Sequence, residues 1–109
     1  MKVVFHPEFP ADQRRFQSDY AEISAGLAVR FRAEIDEAIA AIKASPSGAG
    51  HFVHTGSTVV PEFRRRNLHA FPFFVLYGWT GDTLIFGSLI PTRSDPLNWL
   101  TRFPEIDTR

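Results

Sequence analysis

The chain has 109 residues, 44% of them hydrophobic and eleven of them Phe, enough for one domain with a substantial core, so residues 1–109 read as a single unit. Twelve Lys and Arg balance twelve Asp and Glu, which excludes a global field drawing the chain to nucleic acid or anionic membrane; electrostatic recognition has to come from a local patch. Cysteine is absent, which excludes a disulfide framework and a thiolate metal site and makes a reducing cytoplasm the expected setting.

The opening MKVVFHPEF is too short in its apolar part for a secretory signal, and no run approaches the length of a membrane span. Lys2 to Phe5 is short and β-branched and ends at His6-Pro7, which predicts a first strand. A helical period follows, with Phe9, Phe16, Tyr20 and Ile23 on one face. Pro7 and Pro10 are compatible with this helix only in its first turn. Gly26 is the expected break. Leu27, Phe31, Ile35, Ala38, Ile39 and Ile42 then form the stripe of a second amphipathic helix, which Ser45-Pro46 stops. Two such helices with a short joint make an αα-hairpin.

Residues 45 to 58 read as a Gly/Ser-rich loop carrying His51 and His54. Three strands are expected beyond it: one near Phe63 to Leu68, one from Phe71 to Tyr77, and, after the turn signal Thr80-Gly81-Asp82, one from Thr83 to Ile90. Ser94 or Asp95 is suited to cap a short terminal helix with Pro96 in its first turn.

The order β-α-α-β-β-β-(α) gives an α+β fold, a mainly antiparallel sheet with a helical hairpin on one face. Within the second of the three strands, Phe71, Phe73, Val75 and Tyr77 point one way, and Phe74 and Leu76 the other. A strand apolar on both faces requires both to be covered, and the hairpin covers one. The second face is then either a partner surface or is closed by the C-terminal segment with Leu97, Trp99 and Leu100.

Arg64, Arg65 and Arg66 lead directly into that apolar strand. On a strand they alternate, Arg64 and Arg66 sharing a face with Leu68 and Arg65 lying opposite. Some of this charge has a structural reading, as pairing to helix carboxylates or as protection of an edge against aggregation. Of the four histidines, His69 lies closest in sequence to the arginines and is the best candidate for proton transfer; His6 reads as structural and the loop pair as solvated. His51 and His54, three apart with no further ligand pair, do not make a metal site, and no cofactor is indicated.

Taken together, FHPEF, the two amphipathic helices, FRRRNLHAFPFFVLY and the terminal RSDPLNW resemble, in order and spacing, the RelE/ParE superfamily of toxins from type II toxin–antitoxin modules. The resemblance covers about residues 3 to 102. It implies a compact sheet with a helical hairpin and a cognate antitoxin that wraps the toxin and buries apolar surface. The family contains ribosome-dependent mRNA endonucleases of the RelE kind and ParE-like members that bind and poison DNA gyrase, and a fold does not choose between them.

Cleavage by the RNA 2′-hydroxyl needs a base, an acid and cations for the phosphorane charge. By the resemblance, Arg65 and Arg93 match basic positions of the nucleases. Asn67 stands where a second basic residue is common, and Phe74 replaces an Arg. Pro91 and Thr92 cannot transfer protons, and Trp99 stands where Tyr or His often serves. These departures favour the ParE-like branch, hence a metal-free toxin acting by protein binding on gyrase. The alternative is an mRNA interferase using Arg65, Arg93 and His69 at the ribosome. A member surviving only as a binding module is a third reading. On the binding reading, Arg64, Arg66, Phe74, Leu76 and Trp99 are the candidate contacts for antitoxin or target.

Overall fold

The computed structural model describes residues 2–53, 62–80 and 82–94. Its elements run β1 (Lys2–Phe5), α1 (Glu8–Ile23), α2 (Ala25–Ala44), β2 (His51–Val53), β3 (Glu62–Asn67), β4 (Phe73–Thr80) and β5 (Thr83–Pro91). The described strands form one sheet in the order β1-β5-β4-β3-β2. β1 runs parallel to β5, and the remaining neighbours are antiparallel. The expected α+β architecture is present, with one strand more than the sequence indicated.

The hairpin starts and turns for identifiable reasons. Pro10 falls in the first turn of α1, where no intrahelical acceptor is missed. His6 Nδ1 accepts the Glu8 N–H at 3.0 Å, satisfying one of the open donors of that turn. The break between the helices is at Ser24 rather than at Gly26. Ser24 adopts an extended backbone, and its Oγ accepts the Leu27 N–H at 3.1 Å, so one residue ends α1 and caps α2. Gly26 lies inside the first turn of α2.

The helix-facing core joins Phe9 of α1, Phe31, Ile35, Ala38 and Ile42 of α2, and Phe73, Val75, Tyr77, Leu84, Phe86 and Leu89 of the sheet, with Phe16, Tyr20, Leu27 and Ile39 packed at its margin. Aromatic rings cluster at its centre: Phe31 lies 4.9 Å from Tyr20, 5.1 Å from Phe71 and 5.2 Å from Phe73 between centroids, mostly edge-on. Ile23 departs from the expected stripe. As the last residue of α1 it is 71% exposed.

Strand boundaries moved where backbone donors decide them. Pro72 has no N–H to give a ladder, so β4 begins at Phe73, and Phe71-Pro72 stay in the turn after β3. The Leu68 N–H donates to the Phe73 carbonyl at 2.9 Å and the Thr92 N–H to the Pro72 carbonyl at 2.9 Å, which fastens that turn. A register shift between Leu76 and Tyr77 leaves Gly87 without an opposite residue. The expected terminal helix, from Asp95 onward, lies outside the described residues.

Candidate functional site

Register divides the three arginines. Arg64 pairs with Tyr77 and Arg66 with Val75, both on the helix side of the sheet, whereas Arg65 pairs with Leu76 on the opposite side. The two helix-side arginines are committed to backbone. Arg64 Nη1 donates to the Gly50 carbonyl at 3.0 Å, and Arg66 Nη1 donates to the Ala49 carbonyl at 2.7 Å. A third donor joins them: the buried Tyr77 hydroxyl donates to the Pro46 carbonyl at 2.6 Å. These bonds hold the segment after α2 against β3 and β4. Arg64 and Arg66, read as partner contacts, are here fasteners of the chain itself.

The segment after α2 was expected to be loop, and the fasteners explain why part of it is strand. They bring His51–Val53 alongside β3, with His51 opposite Arg65, Phe52 opposite Arg64 and Val53 opposite Phe63. Gly50 is the residue that permits this approach. A Cβ there would stand 2.6 Å from Tyr77 Oη and 2.8 Å from the Arg65 carbonyl.

The second face carries a smaller core of Phe63, Phe74, Leu76, Ile85 and Ile90, with Val53 against it. Phe74 and Leu76 are both 0% exposed. Of the two readings of this face, an open partner surface and a closed one, the burial of Phe74 and Leu76 fits the closed one. Arg65 lies over the Phe74 ring, 4.3 Å from its centroid, and donates to Asn67 Oδ1 at 3.3 Å. The aromatic residue that stands where the resemblance leads one to expect Arg thus acts as a platform for the neighbouring strand's Arg.

The remaining candidates are scattered. Arg93 is exposed just beyond β5. His69 sits in the β3–β4 turn, where its backbone N–H and that of Ala70 donate to Glu34 of α2 at 2.9 and 3.2 Å. That turn is tied to the helix side, so His69 does not join Arg65. Trp99 and His54 lie outside the described residues. Among the described residues no cluster of three or more His, Asp or Glu could hold a metal, and no helix is long and apolar enough to cross a membrane.

His51, read from the sequence as a solvated loop residue, stands in a strand and shares the second face with Arg65. Its signal was the β-compatible triplet His51-Phe52-Val53, overshadowed by the Gly and Ser around it.

No protein-family model matches the chain, and no curated protein does. Among solved structures, it is similar to a chain described as "Chromosomal ParDE TA system from P. aeruginosa". The TM-score is 0.68 at 17% identity, over 85% of this chain and 97% of that one. The two chains share one fold. It is the RelE/ParE-like fold, a helical hairpin against a mixed sheet, as the resemblance in the sequence implied. The match at this identity rests on backbone architecture, so the roles of individual side chains have to be argued from their own surroundings.

Proposed function

We propose that this chain is the toxin of a type II toxin–antitoxin module, neutralised by a cognate antitoxin and acting by protein binding in the ParE manner, with DNA gyrase as its target. The observation that carries this reading is the shared fold with a chain of a ParDE system, over nearly all of that chain. The arginine cluster adds to it. Two of the three β3 guanidiniums are occupied by carbonyls of the same chain, so among the candidate cations named from the sequence Arg65 and the exposed Arg93 are those left to face RNA.

One observation favours the endonuclease alternative. His51 stands opposite Arg65 across the β2–β3 pair, on one sheet face. Primer extension on an mRNA under translation separates the two. Intact mRNA together with loss of gyrase supercoiling activity is the expected result. Cuts inside codons, abolished by Arg93→Ala, would overturn the binding reading.

A further inference from the structure

β1 is an edge of the sheet, and Lys2 to Phe5 is exposed along its whole length. Val3, Val4 and Phe5 are a continuous apolar run, yet each is 38–39% exposed. The pairing with β5 fixes which way their backbone groups point. The Lys2 N–H donates to the Asp82 carbonyl at 2.7 Å and the His6 N–H to the Phe86 carbonyl at 2.9 Å, so the even-numbered residues face β5. The N–H and C=O of Val3 and Phe5 therefore face outward, where no further described strand takes them up. Side chains alternate as well. Phe5 stacks on Phe86 on the helix side, with ring centroids 4.6 Å apart, and Val4 lies on the opposite side. Each side carries a lysine beside this edge. Lys2 shares the side of Val4, and Nζ of Lys43, in α2, stands 5.9 Å from the centre of the Phe5 ring. Neither lysine has an ion pair among the described residues, and the Asp82 carboxylate accepts the Thr83 hydroxyl at 3.2 Å.

We infer that the β1 edge takes up an extended segment of a protein partner as an added strand, bonded through the backbone of Val3 and Phe5, and that this segment carries apolar residues and carboxylates. This rests on the partner-binding reading above. A row of open donors and acceptors is a template for a strand, and the apolar side chains on both sides of β1 give an incoming strand surface to cover. The two unpaired lysines set the charge of the occupant: a carboxylate on either side of the added strand meets one of them. A second copy of this chain fits less well. It would offer the same edge of about 13 Å, far short of the roughly 1,200 Å² that a stable association buries, and it would bring four unpaired lysines to one short seam. A partner chain that continues past the edge is not limited in this way.

The test is an NMR titration of the full chain with a blocked synthetic peptide of alternating Val and Thr that carries two Glu. A copy methylated at alternate peptide nitrogens serves as the control. Saturable shifts along β1 are expected, with the Val3 and Phe5 amides gaining protection from exchange. The Val4 amide, already turned to β5, should keep the protection it has. The methylated copy should not bind. Val3→Pro removes an outward N–H and no bond to β5, so the chain should stay folded and bind the peptide about two- to tenfold more weakly. Lys43→Gln should weaken binding about two- to fivefold, and not at all for a peptide with Gln in place of Glu. No saturable response at β1 in the folded chain, or equal binding of the methylated copy, overturns the inference. So does self-association through β1 that the peptide does not displace. Growth inhibition is scored separately. Peptide binding at β1 without growth arrest keeps the added strand and loses the toxin reading; growth arrest without binding does the reverse.

Discussion

The Tyr77 hydroxyl donates to the Pro46 carbonyl at 2.6 Å, joining the most buried stretch of β4 to the segment that leaves α2. The bond reaches across 31 residues of sequence, and it spares the Tyr77 hydroxyl the cost of burial without a partner. Tyr77→Phe keeps the ring and removes the donor. The expected loss is about 1 kcal/mol of stability, seen as a lower urea midpoint at unchanged slope. An unchanged midpoint would show that the hydroxyl exchanges this carbonyl for water at no cost.

Gly50 is the complementary case. An added Cβ would meet Tyr77 Oη at 2.6 Å, the Arg65 carbonyl at 2.8 Å and Tyr77 Cε1 at 3.0 Å. Two of these atoms cannot swing aside, one being backbone and the other part of a buried ring. Gly50→Ala should therefore cost about 1–3 kcal/mol and push β2 away from β3. Hydrogen exchange at residues 51–53 checks the location: those amides should lose protection while the centre of β4 keeps its own. Adding Tyr77→Phe should restore only part of the loss, because the Arg65 carbonyl remains in the way.

The large periodic features were legible in the sequence. The stripe from Phe31 to Ile42 and the two-faced run Phe73 to Tyr77 lie where their periods put them, because each is built from apolar residues with a single way to be buried. What escaped was set by contacts between distant residues. β2 is held by Arg64, Arg66 and Tyr77 reaching carbonyls at positions 46–50, and the one local signal, the short triplet His51-Phe52-Val53, does not announce those bonds. The site followed the same division. Alternation separated Arg65 from Arg64 and Arg66, but their hydrogen-bond partners, and the place of His51 beside Arg65, needed the pairing of β2.

Ser24 gives a prediction about the hairpin. One residue forms the whole joint, and its Oγ accepts the Leu27 N–H at 3.1 Å. Ser24→Ala should destabilise the chain by about 1 kcal/mol, while Ser24→Asp should retain most of the stability because a carboxylate caps equally well and suits the helix N-terminus. Thermal unfolding of the two variants side by side makes the comparison. Equal losses would mean that packing at the joint, and not the cap, is what Ser24 supplies.

Arg65 and Arg66 are adjacent in sequence and should separate cleanly in experiment. Arg66 is half-buried, and its guanidinium holds the Ala49 carbonyl at 2.7 Å, a charge-assisted bond. Arg66→Met keeps much of the stem and removes the donors, so it should cost about 1.5–3 kcal/mol. On the proposed toxin reading, any loss of growth inhibition in that variant should follow its fall in stability and be recovered at lower temperature. Arg65 has a weaker hold, one 3.3 Å bond to an exposed Asn67 and the face of Phe74. Arg65→Gln should cost about 1 kcal/mol or less in urea denaturation. If the second face engages a partner, this variant should lose growth inhibition at full stability, and cooling should not bring it back. The reverse pattern, with Arg65→Gln unfolding the chain and Arg66→Met leaving it stable, would mean that the two faces of β3 have exchanged the roles their registers give them.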